Sequence, residues 1–434
     1  MIKAAALPST DKSAKYIYYG IMFVLLAHFI AQLFAQYYMK VNADAAESGW
    51  YSKLSVFSDI ILTPISLYLY FKYHRCFPFV INTCFILMPL LVFIASFNDL
   101  GVFAKTPSVF YSPKGLGTWL NFGTLYFAAE EEYTEKILKW FKYFCYVFVV
   151  FNLMQIGLAG TISNREVALN AIRDTTVVLL WVYPFYFLDN DDQTNFAKLT
   201  KYGIMLLITF FAFAISSRSY LLTMGILIFI KLRRDLKEGK SNFILICMIF
   251  LGIMAGYYVV VNIDKFGTLK DISTVFTGRM GEDSRSSQLK EFMDQFNWDK
   301  LFTGVGPSAT WNWSGDLKAP YQWLDNQFIL IIWWFGLQTC IPYLGHLAYS
   351  IFKKNRMNLL RVTNAKIILF FWTLACAGFG IYITISSSLY YYFMTLMIGI
   401  VTLNVRKVVI YQKQQDELPA QQIEPLPQVQ FGKT

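Results

Sequence analysis

Runs of eleven to twenty-six mostly apolar residues recur along the whole chain, and they dictate the solvent in which it folds. A helix rises ~1.5 Å per residue, so ~20 apolar residues cover the ~30 Å hydrocarbon core of a bilayer; fewer suffice where a neighbour shields them. Twelve stretches qualify as candidate spans: 16–38, 53–71, 77–97, 115–129, 140–158, 174–188, 202–215, 220–230, 241–261, 327–352, 366–385 and 389–405. The pair around Ser216–Ser219 is the shortest and reads as a tight hairpin that only just reaches the far face. Composition agrees, with 15% charged, 56% hydrophobic and 18% aromatic residues. A soluble chain carries roughly 25% charged and ~45–50% apolar residues. The sequence therefore predicts an all-α polytopic membrane protein of about twelve helices.

Charge sets the expected orientation. With the N-terminus in the cytoplasm, the inner segments hold 24 Lys and Arg, the short outer loops 7, and the long loop 262–324 the other 7. Long loops cross regardless of charge, so the asymmetry of the short segments places both termini inside. The net charge of +10 is spread beside spans rather than along one basic face, which argues against nucleic acid as a partner. The first apolar stretch is too long for the ~7–15-residue core of a signal peptide and reads as a retained helix. Residues 1–411 then form one membrane domain carrying the outer loop 262–324. Residues 412–434, rich in Gln and Pro, form a disordered cytoplasmic tail. All six cysteines lie in or beside apolar runs, so neither a disulfide nor a zinc site is expected. The two halves do not match, which weakens a two-fold transporter reading.

The outer loop is far too long for a mere connector. Leu289, Phe292, Met293 and Phe296 fall at i, i+3, i+4, i+7 and predict one helix within it. Arg279 and Arg285 stand before that period, where an anion would meet two guanidinium groups and a helix N-terminus. The competing reading lays this helix flat on the bilayer with its arginines on lipid phosphates. Arg218, within Ser216-Ser217-Arg218-Ser219, sits close to membrane depth, where a charge is costly and usually functional or paired. Arg165 and Arg173 lie eight residues apart, on roughly the same side of a helix if one spans them; snorkelling to head groups is the equal alternative. Trp298, Trp311, Trp313, Tyr321 and Trp323 crowd the loop, suited to stacking on sugar rings or to an interfacial belt.

The histidines are His28 in the first span, His74 in an inner loop and His346 in the tenth span, which leaves no outer histidine base. Asp189-Asn190-Asp191-Asp192 and Glu130-Glu131-Glu132 fall on the inner side and read as solvated turns. Among the outer segments, Glu282-Asp283 is the one closely spaced acidic pair, so no metal and no cofactor is expected.

Several of these segments together resemble a known family. Thr277-Gly278-Arg279, Phe292 with Trp298, Leu301-Phe302-Thr303-Gly304-Val305-Gly306, and Leu324-Asp325-Asn326-Gln327-Phe328 followed by Gly336 resemble the Wzy-type O-antigen polymerases. Ser217-Arg218-Ser219 is similar to the Ser-Arg-Gly of polymerases and O-antigen ligases. The resemblance covers roughly residues 150–400. It implies a GT-C-type glycosyltransferase at the periplasmic face of a bacterial inner membrane, serving lipopolysaccharide biosynthesis. Such an enzyme joins undecaprenyl-pyrophosphate-linked oligosaccharides, donor and acceptor alike, beside a chain-length regulator and a flippase of the same pathway. Ligases, which transfer glycan to lipid A-core, carry His-Asn where this chain has Asp325-Asn326, so the departure favours a polymerase. On this reading Arg218 and Arg279 stabilise the departing pyrophosphate, Asp325 is the position-matched base, and Arg165, Arg173, Arg285 and Asn326 bind substrate. Glu166, Glu282 and Asp283 are rival bases, and an acid at Asp325 also suits a helix N-cap. A lipid-oligosaccharide flippase remains the alternative from another class; it would call for charged residues within the spans.

Overall fold

The computed structural model describes residues 12–39, 50–96, 116–159, 172–189, 194–215, 218–237, 284–307, 309–314, 324, 326–354, 360–378 and 389–404. The described residues contain thirteen α-helices and no strand. In chain order they are α1 Lys12–Met39, α2 Trp50–Tyr73, α3 Phe79–Ser96, α4 Leu116–Asn121, α5 Glu131–Ala159, α6 Arg173–Phe187, α7 Asn195–Ala214, α8 Arg218–Lys237, α9 Ser284–Asp294, α10 Gln327–Phe335, α11 Leu337–Phe352, α12 Leu360–Gly378 and α13 Leu389–Thr402. Six helical stretches are long and apolar enough to cross a bilayer: Lys12–Phe34, Lys53–Cys76, Phe79–Ser96, Glu131–Ile156, Phe196–Ala214 and Leu360–Ala377. The expected spans 16–38, 53–71, 77–97 and 202–215 thus fall on single helices, whereas 241–261 lies outside the described residues.

Several expectations change. On either side of 216–217 stand two helices of 20 residues each, about 30 Å long, of which the first contains a stretch, Phe196–Ala214, long and apolar enough to cross a bilayer. α5 begins at Glu131, and Lys136, Lys139 and Lys142 sit on its first turns instead of in an inner loop. The stretch 115–129 is α4 followed by a 3-10 helix, Phe122–Ala129, buried throughout. Its eight 3-10 residues are an uncommonly long run, and their ~2.0 Å rise stretches fourteen residues to about 25 Å. The segment is wrapped by its neighbours: a Cβ on Gly399 of α13 would lie 2.1 Å from the Leu125 carbonyl oxygen.

α1 pairs with α2, α13 and α2 pack on the 3-10 segment, α5 and α7 pack on α6, and α11 packs on α3. Buried Trp181, Trp334, Tyr126, Phe141 and Phe393 fill the centre, while Phe71, Phe79, Val150, Met154, Leu222 and Phe229 face outward. A coat of that kind is stable only against an apolar solvent. Cys76, Cys84, Cys145, Cys340 and Cys376 are buried free thiols.

One end of the bundle gathers most of the described segments expected on the inner side. Lys72 Nζ reaches Ser13 Oγ at 3.2 Å, Lys353 Nζ donates to the Thr402 carbonyl at 2.7 Å, and Arg361 pairs with Glu135. Lys201, Lys231 and Arg234 donate to the Asp189, Asp189 and Leu188 carbonyls at 3.1, 3.2 and 2.8 Å. Three cations thus meet the negative end of α6. Glu130, expected to be solvated, is buried here, with the Tyr73 hydroxyl donating to it and Lys72 Nζ 3.5 Å away. A carboxylate at the edge of an apolar core needs such partners, and α2 supplies both.

Candidate functional site

The opposite end carries a lobe built from α9, the turns 295–307 and 309–314, and the head of α10. Its foundation is a break in the apolar stretch 327–352. Residues 327–352 form two helices, α10 and α11, that meet at Gly336 with φ 82° and ψ 165°, a conformation essentially confined to glycine. Leu301-Phe302-Thr303-Gly304-Val305-Gly306 lies directly on that break. Val305 N–H donates to the Trp333 carbonyl at 2.9 Å, Gly306 N–H to Trp334 at 3.0 Å, and Leu337 N–H to Leu301 at 2.8 Å. Gly304 and Gly306 also have positive φ, and a Cβ on Gly304 would lie 2.4 Å from the Trp334 oxygen. The two glycine motifs of the resemblance are therefore the halves of one backbone joint.

α9 sits on this joint by its predicted apolar face. Phe292 is fully buried, its ring centroid 5.2 Å from that of Trp333 and 5.3 Å from that of Trp311. That face is covered by protein, so it is not laid on lipid. The polar side of α9 holds the next turn. Gln295 exchanges hydrogen bonds with the Asn312 backbone at 2.7 and 2.9 Å, and Glu291 accepts from the Ser314 hydroxyl at 2.6 Å and its N–H at 2.9 Å. Those two donors hold the exposed Glu291 carboxyl below its ordinary pKa. The i, i+4 spacing of Glu291 and Gln295 was visible in the sequence, but not their targets 23 and 17 residues on. The tryptophans divide: Trp311 is buried, Trp313 half-buried and Trp298 exposed, whereas Tyr321 and Trp323 lie outside the described residues.

Asn326 opens α10 as its N-cap, Oδ1 accepting from the N–H groups of Phe328 and Ile329, both at 3.1 Å. The capping role weighed for Asp325 belongs to its neighbour. Any contact of Asn326 to a ligand would come from its amide nitrogen. Asp325 itself, with Arg165, Glu166, Arg279, Glu282 and Asp283, lies outside the described residues. Arg285 is the second residue of α9, and Arg218 is the first of α8. Arg173 is exposed and opens α6, so any helix shared with Arg165 falls outside the described residues. Ile172, just before it, packs with Ala214 and Ile215, which brings the start of α6 against the end of α7. α6 and α10 both pack against α12.

Sequence reasoning missed a second polar group, deep in the bundle. His28 of α1 lies with Nε2 2.8 Å from Asp59 Oδ1 of α2, and the Tyr392 hydroxyl of α13 donates to the same carboxylate oxygen. The partners of Asp59 come from positions 31 and 333 residues away in the chain.

No family model, curated protein or solved structure matches the chain.

Proposed function

We propose that this protein is a GT-C-type glycosyltransferase of the O-antigen polymerase kind, joining undecaprenyl-pyrophosphate-linked oligosaccharides at the outer face of a bacterial inner membrane. One observation carries the reading. Motif segments separated in sequence, namely Phe292 to Trp298, Leu301 to Gly306 and Asn326 to Gly336, converge in a single lobe seated on the break in 327–352. A lobe fastened to the head of a span is suited to meet a lipid-borne substrate whose reacting bond lies just above the membrane.

Cleavage of a glycosyl–pyrophosphate bond develops negative charge on the leaving group, and preorganised cations can stabilise it. Arg218 and Arg279 are assigned that role, with Arg173, Arg165 and Arg285 binding the pyrophosphate or neighbouring head groups. Asp325, beside the Asn326 cap, is assigned to accept the proton of the attacking hydroxyl. Purified protein incubated with lipid-linked repeat units should yield a ladder of longer products, undiminished by EDTA. Absence of the ladder refutes the polymerase; loss in EDTA with rescue by a divalent ion refutes the arginine mechanism.

A second reading has its own support. The paired His28 and Asp59 are the kind of intramembrane ionisable residues that a lipid-oligosaccharide flippase would need. Movement of fluorescent lipid-linked glycan across proteoliposomes, without any product ladder, would favour it.

A further inference from the structure

We propose that the turn 297–303, through Trp298 and Phe302, is a lipid-docking surface that sinks into the head-group boundary of the bilayer and holds the lobe against it. Depth comes first. α11 runs from Phe352, at the end that gathers the cations, to Leu337 at the break. Lys353 and Gly336, which flank it, stand about 26 Å apart along the axis. The hydrocarbon layer is about 30 Å thick, so with Lys353 at one boundary the break falls about 4 Å inside the other, and tilt carries it deeper. α12 starts at the same end, with Arg361 on Glu135, packs on both α10 and α11, and is about 28 Å long. Both lengths put the break at the edge of the apolar layer. Phe302 shares that level: a Cβ on Gly336 would lie 1.9 Å from its carbonyl oxygen.

The turn also continues a surface that already faces lipid. Ile341, Leu344, Ala348 and Phe352 are exposed along α11 at a spacing that lines one helix face. Leu337, one turn above Ile341 on that face, donates its N–H to the Leu301 carbonyl at 2.8 Å. Trp298 is 61% exposed and Phe302 63%, and among the described residues of the lobe they are the exposed large hydrophobics. What meets the α11 stripe in a bilayer is acyl chain, and at its upper end the boundary where amphipathic tryptophan rings are favoured. Exposed Asp299 and Lys300 stand between the two aromatics and cancel in charge, and a lysine stem reaches phosphate while its neighbours stay in the apolar layer.

The backbone suits that position. Irregular chain at the edge of hydrocarbon must satisfy its polar groups within the protein. Lys300 N–H donates to the Asn297 carbonyl at 3.1 Å, Leu301 to Trp298 at 3.1 Å and Gly304 to Lys300 at 2.8 Å, while Val305 and Gly306 donate to α10. Trp298 is oriented before lipid arrives. Its ring meets Phe296 edge-on with centroids 4.9 Å apart, and Phe296 lies 5.4 Å from Trp333 of α10. The apolar face of α9 is taken up by the joint, and its polar side, with Glu291 and Gln295 on Ser314 and Asn312, is exposed to water. The lobe is therefore amphipathic, with its aromatic turn at the depth where a bilayer ends.

Spin labels on Trp298→Cys, Phe302→Cys and Ser314→Cys test this in the full-length protein reconstituted in phosphatidylcholine bilayers, with label-treated wild type giving the background of the native cysteines. Labels at 298 and 302 should collide severalfold more often with dissolved oxygen than with a water-soluble nickel chelate. Their depth should be about 5–10 Å into the boundary between head groups and acyl chains, as for other interfacial segments. The label at exposed Ser314 should show the reverse preference. Labels at 298 and 302 that meet the chelate as freely as the one at 314 overturn the proposal; if they then lose mobility on addition of soluble oligosaccharide, the turn is a sugar-stacking platform instead. Trp298→Phe, a mild change at an exposed position, gives a second measurement. Brominated lipid should quench a larger fraction of the fluorescence in wild type than in this variant, and equal quenching overturns the proposal as well. Neither measurement of depth needs a glycan or any turnover, so the result stands apart from the polymerase reading.

Discussion

Replacing Gly336 with alanine should detach the lobe from the bundle. A Cβ at that position would lie 1.9 Å from the Phe302 carbonyl oxygen and 2.4 Å from its carbon, and both are backbone atoms that cannot swing aside. At φ 82° and ψ 165° alanine also carries strain of about 1–3 kcal/mol. Relieving the clash means parting the segment 301–306 from the break. That breaks the hydrogen bonds of Val305, Gly306 and Leu337, worth about 1 kcal/mol each. Together these destabilise the docked lobe by roughly 4–6 kcal/mol, and each 1.4 kcal/mol is about tenfold in population. Tryptic cleavage at exposed Lys300, which requires the turn to open, should therefore accelerate by about a thousandfold or more. Gly345→Ala is the control. It sits on the exposed side of α11 with nothing within 4 Å of a new Cβ, and should stabilise the helix by about 0.5–1 kcal/mol. Gly336→Ala protein cleaved at Lys300 no faster than wild type would refute the joint as the lobe's anchor.

Three other outcomes are expected. Arg218→Lys and Arg279→Lys should each slow polymer formation by roughly ten- to over a hundredfold while the protein stays folded in the membrane, because Lys cannot supply the bidentate fork; near-normal rates would leave these arginines as anchors, a task Lys performs equally well. A cysteine at exposed Ser314 should react with a membrane-impermeant thiol reagent in cells whose outer membrane is permeabilised, and protection until lysis would invert the topology. The lowered pKa of Glu291 means that its grip on Ser314 is present at neutral pH and lost as pH falls through the depressed folded value; the protection of the Ser314 amide relative to its intrinsic exchange rate should fall in strongly acid buffer, and equal protection at both pH values would contradict this.

Much of the fold was legible because transfer into lipid is a property of each residue in its own short window. Apolar runs marked helices α1, α2, α3 and α7, and the 3.6-residue period of Leu289, Phe292, Met293 and Phe296 marked α9. The basic segments could likewise be sorted to one end without knowing any contact. What the sequence left open depends on partners that distance along the chain conceals. Glu130 looked solvated until α2 brought Lys72 and Tyr73 against it. Asp325 competed for a cap that the backbone assigned to Asn326. Gly304 and Gly336 read as separate motif letters, and only tertiary structure made them one joint, because a missing Cβ matters where another backbone comes close. The same holds for His28, Asp59 and Tyr392. Each is an ordinary polar residue in an apolar run, and packing alone decided that they would share one oxygen deep in the bundle.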